Sequence, residues 1–232
     1  MRSTDQLKKM AGEYAAEQFI QSGMLVGLGV GSTAIHAVRK ISQLRKEGKI
    51  FSITAIACSL ETEEYAGSLG IPLIDINPET KIDLTIDGAD EVDPDLNLIK
   101  GGGGALTREK IVAQISRREI IVIDQTKHSD ILGTNWAVPV EVIPFGWQSQ
   151  DQFLQSLGAR TKLRTLENGN AYLTDQRNYI IDANFGPIHE PIILADQMKH
   201  RTGIVEHGLF INLATDLIIA TEDGIIHKNH EN

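Results

Sequence analysis

The sequence predicts an α/β fold: a doubly wound, mainly parallel sheet with a second, smaller ferredoxin-like α+β domain. Three observations carry that expectation. Short apolar runs alternate with stretches of helical period over the first half of the chain. Beyond Lys127 the order changes to strand, helix, two strands, helix, strand. The pair Asn168-Gly169 marks a turn between the two adjacent strands.

Leu7, Met10, Ala11, Tyr14, Ala15 and Phe19 recur at helical spacing behind a cap at Ser3, Thr4 or Asp5. MLVGLGV (24–30) is a short apolar strand, and a helix opens directly after Gly31. SITAIA (52–57) is a second strand, followed by the helix LETEEYAGSLG. KIDLTID (81–87) is a third strand, ALTREKIVAQIS a helix and EIIVID (119–124) a fourth strand. Such alternation gives right-handed crossovers and a parallel sheet covered on both faces. In the second half AVPVEVIP, RTKLRTL, AYLTDQRNYIID and IVEHGLFI read as strands. SQDQFLQSLG and EPIILADQMKHRTG read as the helices between them. The tail DLIIATEDGIIHK is a strand pair around Asp223-Gly224 that rejoins the first sheet. The expected division is therefore residues 1–128 plus 208–232 as a Rossmann-like catalytic domain, with 129–207 as the smaller one.

Composition narrows the function. With 232 residues, 41% hydrophobic and 23% charged, the chain has the balance of a globular protein. A net charge of -9 argues against nucleic-acid binding, which needs a basic surface to displace counterions. The single cysteine, Cys58, forms no internal disulfide, and this fits a reducing cytosol. The N-terminus runs into a helical pattern rather than an apolar signal segment. No apolar run approaches the roughly 20 residues that span a bilayer. The expectation is a cytoplasmic protein without membrane or nucleic-acid partners, and a homodimer by default, with the smaller domain as its interface.

Four segments carry chemistry. Gly27-Leu28-Gly29-Val30-Gly31-Ser32-Thr33-Ala34 lies between a strand and a helix. Glycines let the backbone approach a ligand, and the N–H groups of a helix start favour an anion. A phosphate cradle is the favoured reading, and a tight structural turn or a dinucleotide site remain alternatives. The dinucleotide reading wants an acid after the second strand, where Ala57-Cys58-Ser59 supplies none.

Asp87-Gly88-Ala89-Asp90-Glu91 ends the third strand, where ligands of open α/β sheets bind. Crowded carboxylates there suit acid–base work, and a solvated acidic loop is the bland alternative. Asp93-x-Asp95-x-Asn97 imitates the opening of a calcium loop, but the required glycine is Leu98 and the closing glutamate is Gly104.

Lys100-Gly101-Gly102-Gly103-Gly104 then leads into a helix bearing Glu109 in its first turns. A carboxylate and an ammonium around a glycine loop suit proton abstraction beside a carbonyl. The alternative makes Glu109 a helix-dipole acid only. Lys127, after the fourth strand, is a solubilising lysine or a phosphate contact. The histidines show neither an H-E-x-x-H arrangement nor a cysteine partnership, so no metal is expected. His227 and His230 read as solvent-facing, and Cys58 as a small buried hydrophobe.

Taken together, GVGSTA, IDGADEVD, KGGGGALTREK and DQTK, in this order and spacing, resemble the type A ribose-5-phosphate isomerases over nearly the whole chain. The resemblance implies cofactor-free interconversion of D-ribose 5-phosphate and D-ribulose 5-phosphate in the pentose phosphate pathway, through an enediolate. It implies Glu109 as proton acceptor; Asp87, assisting ring opening with Asp90, and Lys100, holding the negative oxygen, are expected as its catalytic companions. Asp87, Gly88, Ala89 and Asp90, and Lys100, Gly101, Gly102 and Gly103, match its substrate loops. Ser32, Thr33 and Lys127 match its phosphate contacts, and Val30 and Gly31 are expected to bind substrate beside them. Val30 stands where the family commonly has threonine, so a hydroxyl is lost and a backbone N–H remains. The alternative from another class is a non-catalytic sugar-phosphate sensor, which generally adds a helix-turn-helix segment. Other enzyme alternatives are a dinucleotide-dependent oxidoreductase, an amino-sugar phosphate deaminase and a CoA transferase.

Overall fold

The computed structural model describes residues 2–229, so His230 lies outside the described residues. In chain order the elements are α1 (Thr4–Phe19), β1 (Leu25–Leu28), α2 (Ala34–Lys46), β2 (Thr54–Ala57), α3 (Leu60–Ser68) and β3 (Leu84–Asp87). Then come β4 (Glu91–Val92), β5 (Leu98–Ile99), α4 (Leu106–Gln114), β6 (Glu119–Asp124) and a 3₁₀ turn, Gln125–Lys127. The second half holds β7 (Val138–Val142), α5 (Trp147–Ser156), β8 (Arg160–Leu163), β9 (Tyr179–Asn184), α6 (Pro191–Lys199), β10 (Ile204–His207), β11 (Leu209–Phe210), β12 (Asp216–Thr221) and β13 (Gly224–Asn229). None of the described helices is long and apolar enough to cross a membrane.

The chain divides into two compact units. The first takes the residues up to Ala89, Arg108–His128 and the chain from Asn212 on; the second takes Asp90–Thr107 and Ser129–Ile211.

The first unit carries a six-stranded sheet in the order β13-β12-β6-β3-β1-β2. All neighbours are parallel except the β12–β13 hairpin. This is the doubly wound sheet expected, with the tail strands rejoining it. Its strands are apolar runs because both faces are covered: Val26, Leu28, Leu84, Ile86, Ile120 and Val122 lie in one core with Leu7, Ala11 and Ala15 of α1 and Val38 and Ile41 of α2. Helix α1 begins at Ser3, whose hydroxyl accepts the Gln6 N–H while the Gln6 side chain accepts the Ser3 N–H. A second cluster of the unit buries Cys58 with Ile56, Ile82 and Val112, which fits the cysteine's expected role as a small hydrophobe.

The second unit contains a four-stranded antiparallel sheet, β10-β7-β9-β8. With α5 and α6 this is the split β-α-β-β-α-β arrangement read from the sequence. Val138, Val140, Leu154, Ile181 and Met198 form its core.

Three local expectations differ. The Asn168-Gly169 turn forms, but only a single bridge, Thr165 to Ala171, follows it. A second turn intervenes, with the Arg177 N–H donating to Thr174 O and Arg177 itself at φ 64°, so the return strand begins at Tyr179. IVEHGLFI is not one strand: Gly208 interrupts it, and its halves join different sheets. Residues 90–107 and 208–211 group with the second unit, whereas the sequence division placed them in the first. The reason is a small sheet invisible to periodicity, β11-β5-β4, whose strands are two residues each. Ile99 and Leu209 from it enter the second core.

Candidate active site

In the first unit the strand tips order the candidate residues. β1, β3 and β6 are adjacent and parallel, so the chain leaves them at one edge of the sheet. Asp87 closes β3 and is fully buried. Its Oδ1 accepts the Val30 N–H at 2.9 Å and the Gly88 N–H at 2.7 Å. The Val30 N–H, which the sequence left for a ligand, thus serves Asp87. A Cβ on Gly29 would sit 2.3 Å from Asp87 Oδ1 and 2.5 Å from its Cα, so only glycine allows this approach.

Beyond Val30, Gly31 and Ser32 are exposed and Thr33 is the residue before α2, its side chain making no capping bond. Exposed amides at a helix start are chemically an anion site. His36, one turn in, adds little cationic character there, because burial and then Arg39 hold its pKa below the usual value. The Thr62 hydroxyl donates to Gly29 O at 3.2 Å, and Ser59 caps α3 by accepting the Thr62 N–H. The Ser59 segment therefore supports the glycine turn from behind.

Lys127 ends the 3₁₀ turn after β6. Asp124 caps that turn, its Oδ1 accepting from Thr126 N at 3.0 Å and Thr126 Oγ1 at 2.5 Å. Glu109 is also in this unit, in the first turn of α4 and 5% exposed. A carboxylate there is favoured by the helix dipole.

Asp90, Lys100, Gly101, Gly102 and Gly103 belong to the second unit. Lys100 is 2% exposed, its Nζ 5.5 Å from the Phe210 ring centroid and its N–H donated to Gly208 O. Asp90 Oδ2 accepts the Gly102 N–H at 2.7 Å, and a Cβ on Gly102 would fall 2.6 Å from the same carboxylate. The glycine run is thus a built loop, not a linker. Arg164 donates to Gly101 O and Gly102 O, each at 3.0 Å, and Tyr172 Oη to Gly103 O at 3.2 Å.

These last two residues escaped the sequence reading. Arg164 lies in a segment read only as a strand, and nothing in its spacing signals a partner. Glu141 was legible, because a charge in the middle of AVPVEVIP contradicts a buried strand. It is fully buried and accepts from Thr107 Oγ1, Thr174 Oγ1 and Asn178 Nδ2. His227 is exposed, as expected, and its Nε2 also lies 2.8 Å from Asp216 Oδ1. Among the described residues no group of three or more His, Cys, Asp or Glu side chains is placed to hold a metal ion.

The family profile described as ribose 5-phosphate isomerase A (phosphoriboisomerase A) matches residues 54–224. The chain belongs to the ribose 5-phosphate isomerase A family. A ribose-5-phosphate isomerase A of Desulfatibacillum aliphaticivorans is 53% identical over 97% of both chains. The one of Chloroflexus aurantiacus is 49% identical over 97% of this chain and 94% of its own. Among solved structures, ribose 5-phosphate isomerase from Plasmodium falciparum superposes with a TM-score of 0.95 at 40% identity, covering 98% of this chain and 100% of that one. A D-ribose-5-phosphate isomerase in complex with phospho-erythronic acid gives a TM-score of 0.96 at 34% identity, covering 99% and 100%. The family likeness therefore runs through both units.

Proposed function

We propose that the chain interconverts D-ribose 5-phosphate and D-ribulose 5-phosphate, a step of the pentose phosphate pathway. The observation that carries this reading is membership of the isomerase family over nearly the full length of both chains. The buried Glu109 and Lys100 and the glycine loops support it at the level of chemistry.

Asp87, with Asp90, moves protons between the sugar oxygens as the furanose ring opens. Glu109 then takes the proton from C2 of the open aldose, and the electron pair left behind forms the C1–C2 double bond of a cis-enediolate. Lys100 and the Gly103 amide hold the negative oxygen, with Gly101 and Gly102 shaping the loop that presents it. A proton passes from the C2 hydroxyl to the C1 oxygen, and Glu109 returns its own proton to C1, leaving the ketone at C2. Gly31, Ser32 and Thr33, with Lys127, bind the phosphate, Val30 holds the turn that presents them, and Gly88 and Ala89 shape the sugar site. The acid–base groups named account for every proton, so the reading assigns the reaction neither metal nor cofactor. The single cysteine supports a cytoplasmic setting, and a homodimer is the assembly expected.

Two measurements test the reading. Chelator-treated protein given ribose 5-phosphate should form ribulose 5-phosphate, and absence of product overturns the assignment. Glu109→Gln should lose about 10²–10⁴-fold in turnover and stop solvent deuterium entering substrate C2. Near-normal exchange in that variant removes Glu109 from the role.

A further inference from the structure

The guanidinium of Arg164 is fully engaged on two sides. Its Nε and Nη2 meet the Asp182 carboxylate at 3.0 and 2.5 Å, and its Nη1 donates to Gly101 O and Gly102 O at 3.0 Å each. The side chain starts from a rigid place. Arg164 follows β8, its N–H donates to Ile180 O, and Asp182 lies on β9 opposite Lys162. The Tyr172 ring, 5.9 Å from the guanidinium carbon, lies against it and donates its hydroxyl to Gly103 O.

A peptide unit is planar and trans, so a carbonyl and the N–H that follows it point in opposite directions. Holding the Gly101 carbonyl on Arg164 turns the Gly102 N–H the other way, and Asp90 receives it. Holding the Gly103 carbonyl on Tyr172 likewise turns the Gly104 N–H away, and Gly101 O receives it. Between them, the Gly102 carbonyl on Arg164 directs the Gly103 N–H away from the guanidinium, at the exposed residue of the loop. Without side chains of their own, glycines hold no such orientation unaided.

We propose that Arg164, held by Asp182, is the positioning residue that aims the Gly103 N–H at the anionic oxygen of the substrate. This rests on the isomerase reading above and deepens it: the loop acts as a preset donor, and the residue that sets it touches no substrate atom. Lysine cannot replace the arginine, because a single ammonium cannot grip a carboxylate through two parallel bonds and still reach two carbonyls.

The test uses Arg164→Lys, Arg164→Ala and Asp182→Asn in the full chain, with Glu109→Gln as reference. Arg164→Lys should keep a cooperative unfolding transition yet lose about 100-fold in kcat/KM, mostly in kcat, as misplaced groups do. Amide exchange in the peptide covering 98–106 should quicken about tenfold, while exchange in β7 and β9 is unchanged. Millimolar guanidinium should restore part of the activity of Arg164→Ala and none to Glu109→Gln. If Arg164→Ala does not fold, Arg164→Lys and Asp182→Asn decide by the same readouts. Folded variants with kcat/KM within about threefold of the parent, or with loop exchange unchanged, overturn the proposal. If the parent chain itself forms no ribulose 5-phosphate, the isomerase reading fails instead, and the exchange measurement still decides whether Arg164 sets the loop.

Discussion

Asp87 accepts the backbone N–H of Val30 at 2.9 Å. The bond ties the residue ending β3 to the turn after β1, so a change in the glycine turn is felt at the Asp87 carboxylate. Gly29 lies where the two segments touch. In Gly29→Ala the added methyl meets Asp87 backbone as well as its carboxylate, so the turn and Asp87 must part. Turnover should fall by about 100-fold, with a lower unfolding midpoint, read by steady-state kinetics and calorimetry.

The Val30 side chain takes no part in that bond and packs against the cluster around Cys58. Val30→Thr keeps the N–H to Asp87 and adds a hydroxyl in the turn proposed to hold the phosphate. One new hydrogen bond to a charged group is worth about 1.5 kcal/mol, so KM for ribose 5-phosphate should drop by about tenfold with kcat unchanged. An unaltered KM would place the phosphate away from this residue.

Lys100→Met removes an ammonium from an almost fully buried position while keeping most of its volume. On the role proposed for Lys100, loss of one oxyanion donor should cost about 10²–10³ in kcat. KM should move far less, because the interaction develops with the enediolate. Equal changes in both constants would make Lys100 a binding residue only.

Glu141 gathers Thr107, Thr174 and Asn178 around one buried carboxylate. Glu141→Leu leaves three donors without their acceptor, and stability in urea should fall by about 3 kcal/mol. Glu141→Gln, which keeps one acceptor oxygen, should lose less. Thr107 lies two residues before Glu109, so both variants should also slow turnover.

Asp216 ties part of the first unit's stability to pH. Burial raises its pKa, but hydrogen bonds from Arg118, Thr215 and His227 outweigh that and leave it below the ordinary value. A carboxyl depressed in the folded state stabilises the fold above its unfolded pKa of about 3.9 and loses that contribution as pH falls through the folded value. Unfolding midpoints should therefore decline below about pH 4, and Asp216→Asn should be weaker at neutral pH with a flatter decline.

How much of this was legible follows from what each signal depends on. The parallel strands and the helices between them announce themselves because burial on both faces forces apolar runs, as in EIIVID. Strands β4, β5 and β11 have two residues each, too short for any period, and so the assignment of 90–107 was missed. Val30, Ser32, Asp87 and Glu109 stood out because glycines and charges crowd at strand ends. Arg164 and Tyr172 did not, because their partners are backbone carbonyls more than 60 positions away, and a carbonyl has no letter in the sequence.

The six-stranded sheet has a consequence for synthesis. β12 lies between β6 and β13, yet the whole of 129–211 is made between β6 and β12. While a ribosome is still translating that stretch, β6 has one bare side, an apolar edge open to pairing with other nascent chains. A chain halted near residue 211 should need a chaperone to stay unaggregated, and addition of a peptide carrying 212–229 should relieve that need.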